Sequence, residues 1–274
     1  MSSFSADWLA LREPADHAAR STRLTATIAD VLPSAYDLAV LDLAAGTGSN
    51  VRYLAPRLTR HQRQHWLLAD HDASLLARAD HDLSGLDTLY GIETRKIDIA
   101  SICDEAIASL FADKGLVTAS ALLDLVSERW LRAITDLCSA NHAAALFALS
   151  YDGTIECRPE HRDDELIRDL VNAHQRQDKG FGGPALGPDA TAAMERSFVA
   201  AGYAVRRDRS DWNLGADASA LQRQLIDGWA DAAIETSPEA AARIEDWRSV
   251  RRSYVDAHAS TIRVGHEDVA AWLL

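Results

Sequence analysis

The stretch "LAVLDLAAGTGSN", residues 38–50, decides the fold of this chain. It begins with an apolar run broken only by Asp42, and such a run is typical of a strand buried on both faces of a parallel sheet. Gly46 and Gly48 follow in a tight turn, where the lack of a Cβ atom lets the backbone approach a ligand. The stretch therefore predicts the strand, turn and helix with which an α/β fold begins.

The alternation of strand and helix continues downstream. Four more strands are predicted, at residues 65–70, 91–100, 114–123 and 143–153. The helices predicted between the strands cover residues 51–58, 73–83, 102–111 and 127–140. This order requires a mostly parallel sheet with helices on both faces, so we predict an α/β, doubly wound, Rossmann-like fold.

The pattern changes after Tyr151, where a long loop rich in Gly and Pro occupies residues 174–190. Around this loop we predict helices at 163–176, 191–202, 217–234 and 238–257, and strands at 203–214 and 260–266. No stretch has the composition of a linker. We therefore expect a single domain, 1–274, made of a core at 35–150 and substrate-side insertions and last strands at 151–274.

The N-terminal segment, residues 1–34, is expected to form a helical cap. A helix break is predicted at Glu13-Pro14, because proline disrupts a helix interior. The helix that follows should end at Pro33 and should bury one apolar face, formed by Leu24, Ile28, Val31 and Leu32.

Composition narrows the class of ligand. The chain has a net charge of -13 and a pI near 5.1, whereas affinity for nucleic acid depends on Lys and Arg that neutralise phosphates. A small molecule or a protein is the expected partner. The sequence contains neither a recognisable signal peptide nor an apolar run of about 18 residues, so we expect a cytoplasmic protein with no membrane contact.

No metal site is expected. The cysteines, Cys103, Cys138 and Cys157, form no CxxC pair and are expected to be buried thiols. The tetrapeptide Ala-Asp-His-Asp occurs twice, at 69–72 and 79–82, but the helix predicted between the copies separates them by about 12 Å. Shared coordination of one metal ion is therefore excluded.

Three aspartates follow three consecutive predicted strands. Asp42 lies beneath the glycine turn, Asp70 ends the second strand and Asp98 ends the third. An acid after the second strand can accept hydrogen bonds from both hydroxyls of a ribose, and one after the third can accept from an adenine amino group. Each alone is also explained as a solvated acid at a strand end, but together they predict an adenosine pocket.

The adenosine ligand is expected to lack phosphates. A dinucleotide site requires GxGxxG, but Val51 stands at the third glycine position and would crowd a pyrophosphate. The sequence has no Tyr-x-x-x-Lys pair and no GxxxxGK[ST] motif.

These residues resemble a known family. "VLDLAAGTGSN", "LLADHDASLLARA", "KIDIA" and "LVTASALLDLVSERWL" are similar, in order and spacing, to four motifs of class I S-adenosylmethionine-dependent methyltransferases. The resemblance spans about residues 35–150, and it departs from the family at Ala44-Ala45, where glycine is commoner. It implies a seven-stranded sheet whose last strand is antiparallel, with S-adenosyl-L-methionine as cofactor and S-adenosyl-L-homocysteine as product.

The resemblance also implies roles for individual residues. Asp70 would hold the ribose, and the loop that begins at Ser120 would face the methyl group. The methionine part would be lined by Asp42, Ala44, Gly46 and Gly48, and the adenine would be flanked by Asp98 and Ile99. Arg12 and Arg20 are candidates to clamp the methionine carboxylate; an i,i+4 ion pair with Asp16 is the alternative for Arg20.

Candidates on the substrate side lie outside this core. Tyr151 and Asp152 are predicted at the end of the fifth strand, where they would touch substrate, although a turn-forming role equally explains Asp152. His174 is a candidate general base, or else a helix-capping or surface residue. Gln175, Asp178 and Lys179 stand near it, beside glycines that can hinge a lid.

The sequence thus predicts a methyltransferase that acts on an O or N atom of a small molecule. Two alternatives stay open. One is a nicotinamide-dependent reductase, and the other is a non-catalytic S-adenosylmethionine-binding partner protein. The sequence indicates no oligomeric state.

Overall fold

The computed structural model describes residues 5–33, 37–60, 63–86, 90–102 and 104–273. Within these ranges one mixed sheet has the strand order β3-β2-β1-β4-β5-β8-β6, and a short β7 pairs with β8. The strands are β1 (Asp37–Leu43), β2 (Arg63–Asp70), β3 (Gly91–Lys96), β4 (Leu116–Ser120), β5 (Ala144–Arg158), β6 (Ala204–Arg209), β7 (Trp212–Leu214) and β8 (Thr261–Trp272).

Strands β1 to β5 pair in parallel, whereas β8 is antiparallel to both β5 and β6. The predicted doubly wound sheet with an antiparallel last strand is therefore confirmed. The chain places β2 on one side of β1 and β4 on the other, so the strand order reverses beside β1. In open α/β sheets, ligands bind outside the carboxyl ends of the strands at such a point.

Helices cover both faces of the sheet. They are α1 (Ala6–Ala19), α2 (Thr22–Val31), α3 (Ser49–Leu54), α4 (Ala73–Leu83), α5 (Glu105–Ala108), α6 (Glu128–Ala140), α7 (Asp164–Gln175), α8 (Ala190–Ala200), α9 (Ser219–Thr236) and α10 (Ala241–Asp256). Helices α2, α3 and α4 bury their apolar sides on one face, and α6 and α8 do so on the other. A third cluster joins α7, α9 and α10 to the distal half of β5 and to β7. In the described ranges no helix is both long and apolar enough to cross a bilayer.

The predicted helix break at Glu13-Pro14 was wrong. Helix α1 runs through Pro14 to Ala19, and the chain turns only at Arg20. Proline removes one backbone hydrogen bond from the helix, but Arg12 and Asp16 form a bidentate ion pair across the same turn at 2.9 and 3.1 Å. Of the predicted apolar face of α2, Leu24, Ile28 and Leu32 are buried, whereas Val31 is 36% exposed.

Strand β5 does not end at residues 150–153, as the sequence had indicated. It continues to Arg158 as the partner of β8, with shifts of register between Phe147 and Ser150 and between Tyr151 and Ile155. Leu149 adopts a positive φ of 55° at the first shift, and its backbone N–H donates to the Asp268 carboxylate at 2.8 Å. The polar residues that predicted a turn therefore belong to an irregular part of a long strand.

Other predicted boundaries also moved. The single strand expected at 203–214 is divided into β6 and β7 at Ser210-Asp211, because the Asp211 carboxylate, at 3.2 Å, accepts from the His266 backbone N–H. Among the described residues of the segment 102–111, α5 and a 3₁₀ turn at Ser109–Phe111 are helical, and the rest are not. Cys138 and Cys157 are free and buried, and burial raises the pKa of the Cys157 thiol to about 12. Cys103 lies outside the described residues.

Asp268 on β8 connects three parts of the fold. Its carboxylate accepts from the backbone N–H groups of Leu149 and Ser21, at 2.8 and 2.9 Å, and lies 3.5 Å from Arg20 Nε. Because the side chain is only 1% exposed, water cannot replace these contacts.

We expect Asp268→Ala to lower the free energy of unfolding by about 3 kcal/mol, because it leaves a buried guanidinium and two buried N–H groups without their acceptor. Urea denaturation measures this change. The matched control is Asp246→Ala on the exposed side of α10, for which we expect a change within about 0.5 kcal/mol. Equal effects of the two variants would contradict the role of Asp268.

Candidate functional site

A cavity of about 480 Å³ opens at the carboxyl ends of β1, β2 and β4 and beside the turn that follows β3. Its other walls come from α1, from the segment 174–181 and from Glu235 on α9. The cavity therefore lies where the strand order reverses, between the sheet and the segments that flank it. Pockets of roughly 300–1,000 Å³ hold ligands of drug size.

The turn after β1 forms the floor of the cavity. Ala44 and Gly46 both have positive φ angles, of 50° and 56°, so the backbone here adopts conformations that favour glycine. A Cβ atom at Gly46 would lie 3.1 Å from Leu9 Cδ1, because α1 passes directly over the turn. Glycine at position 46 thus permits close contact between the turn and α1.

Asp42 lies in this floor and is completely buried. Its Oδ1 accepts from Asn50 Nδ2 at 2.7 Å, whereas its Oδ2 has no hydrogen-bond partner among the described residues. Burial raises the pKa of Asp42 to about 7, against the opposing effects of Asn50 and Arg20, and nearby Asp70 raises the pKa further. The site thus contains a buried acid whose pKa is raised to about 7 and one buried acceptor oxygen without a donor among the described residues.

Asp70 ends β2 as predicted and is 4% exposed. Its Oδ2 accepts from the Gly46 N–H and its Oδ1 from the Asp72 N–H, both at 2.9 Å. These bonds fix the carboxylate against the turn. His71 Nδ1 also lies 3.3 Å from Oδ1. Since each carboxylate oxygen accepts two hydrogen bonds, Oδ2 keeps one acceptor position open among the described residues.

Asp98 and Ile99 line the cavity after β3, although β3 itself ends at Lys96. Asp98 begins a 3₁₀ turn and accepts from the Ala100 N–H at 3.0 Å. The Ile99 carbonyl accepts from Trp130 Nε1 at 2.7 Å, which fixes the apolar Ile99 side chain in the wall. The wall here therefore combines a flat apolar surface with one acceptor.

The structure brings together most of the predicted cofactor residues. Those that line the cavity are Asp42, Ala44, Gly46, Asp70, Asp98, Ile99 and Ser120. Gly48 does not line it: this residue caps α3, and a Cβ atom there would lie 2.7 Å from Leu83 Cδ1 on α4. Gly48 is therefore required for packing between α3 and α4.

Arg20 lies outside the cavity and is not placed to clamp a ligand there. Its Nη1 donates to Asn50 Oδ1 at 2.9 Å, and its guanidinium stacks 4.5 Å from the centre of the Tyr53 ring. The alternative, an ion pair with Asp16, is also wrong, because Asp16 binds Arg12 and accepts from Trp212 Nε1. Sequence reasoning assigned no role to Asn50, although an amide two residues after the second glycine was a visible signal.

Tyr151 and Asp152 also lie outside the cavity, because β5 continues past them. The Tyr151 hydroxyl donates to Asn172 Oδ1 at 2.8 Å, and burial raises its pKa. Asp152 accepts from the Thr154 N–H at 2.8 Å and from Arg209 at 3.2 Å. The structure thus places neither side chain in the wall of this cavity, and their predicted contact with a substrate gains no support from it.

His174, at the end of α7, does line the cavity. Its Nε2 lies 3.3 Å from Glu235 Oε2, and its Nδ1 lies 3.3 Å from Lys179 Nζ. Both ring nitrogens are thus engaged, and neither is free to accept a substrate proton. This geometry favours a positioning role for His174.

Comparison with known proteins finds no matching family model and no matching curated sequence. Among solved structures, the cyclopropane synthase MmaA2 from Mycobacterium tuberculosis is 11% identical, over 98% of this chain and 94% of that chain, with a TM-score of 0.51. S-adenosylmethionine-dependent methyltransferases from Thiobacillus denitrificans and Geobacter sulfurreducens, both in complex with S-adenosyl-L-homocysteine, are each 14% identical. The match to the Thiobacillus denitrificans protein covers 100% of both chains with a TM-score of 0.46. The match to the Geobacter sulfurreducens protein covers 98% of this chain and 99% of that chain, with a TM-score of 0.47.

The likeness to MmaA2 shows a shared fold. The chain thus shares the fold of this synthase, a Rossmann-like sheet with the antiparallel last strand that was predicted, and this strand lies between β5 and β6.

The raised pKa of Asp42 predicts a pH dependence of stability. An acid whose pKa is about 7 when folded, against an ordinary value of 3.8 for an aspartate in water, holds its proton more tightly in the folded state. Stability should therefore fall as pH rises from about 4 to about 7, and stay lower above it. Asp42→Asn keeps the acceptor for Asn50 but removes the charge. We expect this variant to be more stable than wild type at pH 8, by on the order of 2 kcal/mol, with no such gain at pH 4.

Urea denaturation at the two pH values measures this difference, and Asp80→Asn on the exposed end of α4 is the control. A change in stability that is the same at both pH values would show that burial of the Asp42 charge is not its cause.

Proposed function

We propose that this protein is an S-adenosylmethionine-dependent methyltransferase that transfers a methyl group to an O or N atom of a small molecule. One observation carries the proposal: three carboxylates, those of Asp42, Asp70 and Asp98, line a single cavity beside the glycine turn. Each has acceptor capacity left, and the three match three different donor groups of this cofactor.

Asp70 suits the ribose. Its Oδ2 keeps one acceptor position for a sugar hydroxyl, and the neighbouring hydroxyl would share Oδ1 with the exposed His71 imidazole, 3.3 Å away. Because its other bonds go to the Gly46 and Asp72 backbone, the carboxylate is fixed before the ligand arrives. Asp98 and Ile99 then suit the amino group and the ring of adenine.

Asp42 suits the ammonium group of the methionine part. Its Oδ2 is buried and has no partner among the described residues, and such an orphaned acceptor costs free energy until a donor reaches it. A cationic donor would also favour the ionised form of this acid. We therefore assign the orphaned oxygen to the ligand's ammonium group, directly or through water.

The charge of the lining argues against a dinucleotide. The acids in the cavity wall are Asp16, Asp42, Asp70, Asp72, Asp98, Asp178 and Glu235. Among the described residues, the wall has one arginine, Arg12, and one lysine, Lys179. Arg12 is already paired with Asp16. Such a wall favours a ligand with an ammonium and a sulfonium over a pyrophosphate, which makes the nicotinamide-dependent reductase the weaker candidate.

The bound cofactor would supply an electrophilic methyl group. The chain's own contribution is to orient the acceptor atom and exclude water. Leu9 on α1, Leu122 after β4 and Phe181 in the segment 174–181 give the cavity apolar surface for this purpose. We propose that the segments 1–34 and 151–274 together form this substrate-side cover.

The acidic net charge supports a small molecule over nucleic acid as the methyl acceptor. A cytoplasmic location is proposed on the sequence features alone. The non-catalytic alternative predicts cofactor binding without turnover, and the apolar surface beyond the three carboxylates favours an enzyme over it.

Calorimetry tests the cofactor assignment. We expect both S-adenosylmethionine and S-adenosylhomocysteine to bind, and Asp70→Ala to weaken each by about 100-fold, because two hydrogen bonds to a charged acceptor are lost. Asp80→Ala is the matched control. It changes the same residue type in the second Ala-Asp-His-Asp copy. There the exposed Asp80 accepts a hydrogen bond from the Thr94 hydroxyl, and the variant should alter affinity by less than about 2-fold.

Asp98→Ala provides a second variant, since Asp70→Ala also removes a backbone acceptor from the turn. It should weaken binding by about 10-fold. The proposal would be refuted if neither S-adenosylmethionine nor S-adenosylhomocysteine bound at millimolar concentration. Equal effects of Asp70→Ala and Asp80→Ala on the affinity would also refute it. A fluorescence change of NADH or NADPH on mixing would favour the reductase.

A further inference from the structure

Lys179 is a cation that lines the cavity without a carboxylate partner. Among the described residues, no carboxylate oxygen lies within 4.0 Å of its Nζ, whereas the other cation of the wall, Arg12, is bound by Asp16. Lys179 is partly buried, and this burial lowers its pKa against the opposing influence of Glu235 and Asp124. The charge has therefore lost some water without gaining an anion.

The neighbours of Lys179 hold its ammonium group in one place. An ammonium only donates hydrogen bonds, so His174 Nδ1 accepts from Lys179 Nζ, and the imidazole proton lies on Nε2. That nitrogen in turn donates to Glu235 Oε2 at 3.3 Å. The series Glu235, His174 and Lys179 uses one of the three N–H groups of the ammonium and leaves the other two available to a ligand.

The backbone around Lys179 is also fixed. Asp178 Oδ1 accepts from the Gly180 N–H at 2.7 Å, and the Ser127 hydroxyl donates to the Phe181 carbonyl at 2.7 Å. The Leu186 N–H donates to the Val126 carbonyl at 2.8 Å. The segment that carries Lys179 is thus bound to the start of α6, and its position does not depend on a ligand.

The surface beside Lys179 is apolar. Phe181 follows it in the chain and lines the same cavity, together with Leu125 after β4. An ammonium with two free donors next to apolar side chains is complementary to a small organic acid, whose carboxylate accepts while its carbon skeleton covers the apolar surface.

We infer that the substrate-side end of the cavity recognises a small apolar carboxylate, whose acid group binds the Lys179 ammonium held by His174 and Glu235. The inference deepens the proposed function and rests on it, because it names the chemical class of the methyl acceptor. The acids Asp42, Asp70 and Asp98 at the strand ends would repel such a group, and Asp178 and Glu235 stand beside Lys179, so the acid group would depend on the Lys179 ammonium for its binding.

Calorimetry on the full chain saturated with S-adenosylhomocysteine tests the inference. The probes are acids paired with their neutral amides: benzoate with benzamide, hydrocinnamate with hydrocinnamamide, and hexanoate with hexanamide, and hexylamine represents a cation. We expect at least one acid to bind about 10-fold or more tightly than its amide, since a charge-assisted hydrogen bond has this magnitude. Hexylamine should bind more weakly than hexanoate.

Lys179→Met should abolish the preference for acid over amide and leave the affinity for S-adenosylhomocysteine unchanged. Lys114→Met is the matched control, because Lys114 lies just before β4 and outside the cavity, and it should preserve the preference. The inference is overturned if no acid binds, if amides or hexylamine bind as well as the acids, or if Lys179→Met retains the preference.

The same titrations separate the two proposals. Binding of S-adenosylhomocysteine with no acid preference would refute the inference and leave the proposed function intact. An acid preference that depends on Lys179 in a protein that does not bind S-adenosylhomocysteine would refute the proposed function and show an anion site of another kind.

Discussion

The burial of a carboxylate at the end of β1 constrains the rest of the structure. Asp42 has no contact with bulk water, so only its neighbours can satisfy it, and Asn50 does so for one of the two oxygens, Oδ1, from the start of α3. The Asn50 amide oxygen in turn accepts from Arg20, whose guanidinium lies beside Asp268 on β8. One connected set of polar side chains therefore extends from the end of β1 through Asn50 and Arg20 to β8, the last of the described strands. A change at one end of this set alters the position of the other, since buried polar networks tolerate few alternative arrangements.

The same network explains why the cavity can keep an unsatisfied acceptor. An isolated buried carboxylate is costly, but here α1 is attached over the turn from several directions: Glu13 pairs with Arg52 at 2.6 Å, and His17 lies 3.1 Å from Ser49. These contacts offset the strain of the site. A ligand that supplies the missing donor to Asp42 would gain binding free energy at this residue. Under the proposed function, stability and ligand binding would be opposed at this residue, as is common for preorganised sites.

Much of the fold followed from the sequence because it depended on local patterns. Helix α4 has the predicted bounds, and Asp70 ends β2 as expected, since period and capping residues report on nearby structure. The errors have a different origin. Tyr151 and Asp152 carry the signature of a turn, but pairing with β8 more than 100 residues later extends β5 through them. The partner of Arg20 was wrongly predicted for the same reason. Asn50 and Asp268, which Arg20 contacts, are distant from it in sequence. The site at the strand ends was predictable; the cover over it was not, since its residues come from separate parts of the chain.

The position of β8 has a consequence for the order in which the protein forms. This strand lies between β5 and β6, yet it is the last of the described strands along the chain. During synthesis, β1 to β5 leave the ribosome first and can pair in sequence, whereas β6 has no neighbour until β8 follows it. Over the same interval the distal half of β5 has an unpaired edge, and an exposed edge is a site for aberrant pairing. The nascent chain would therefore benefit from a chaperone or from rapid completion. The sheet would be complete only when β8, which carries Asp268, has left the ribosome and has paired with β5 and β6.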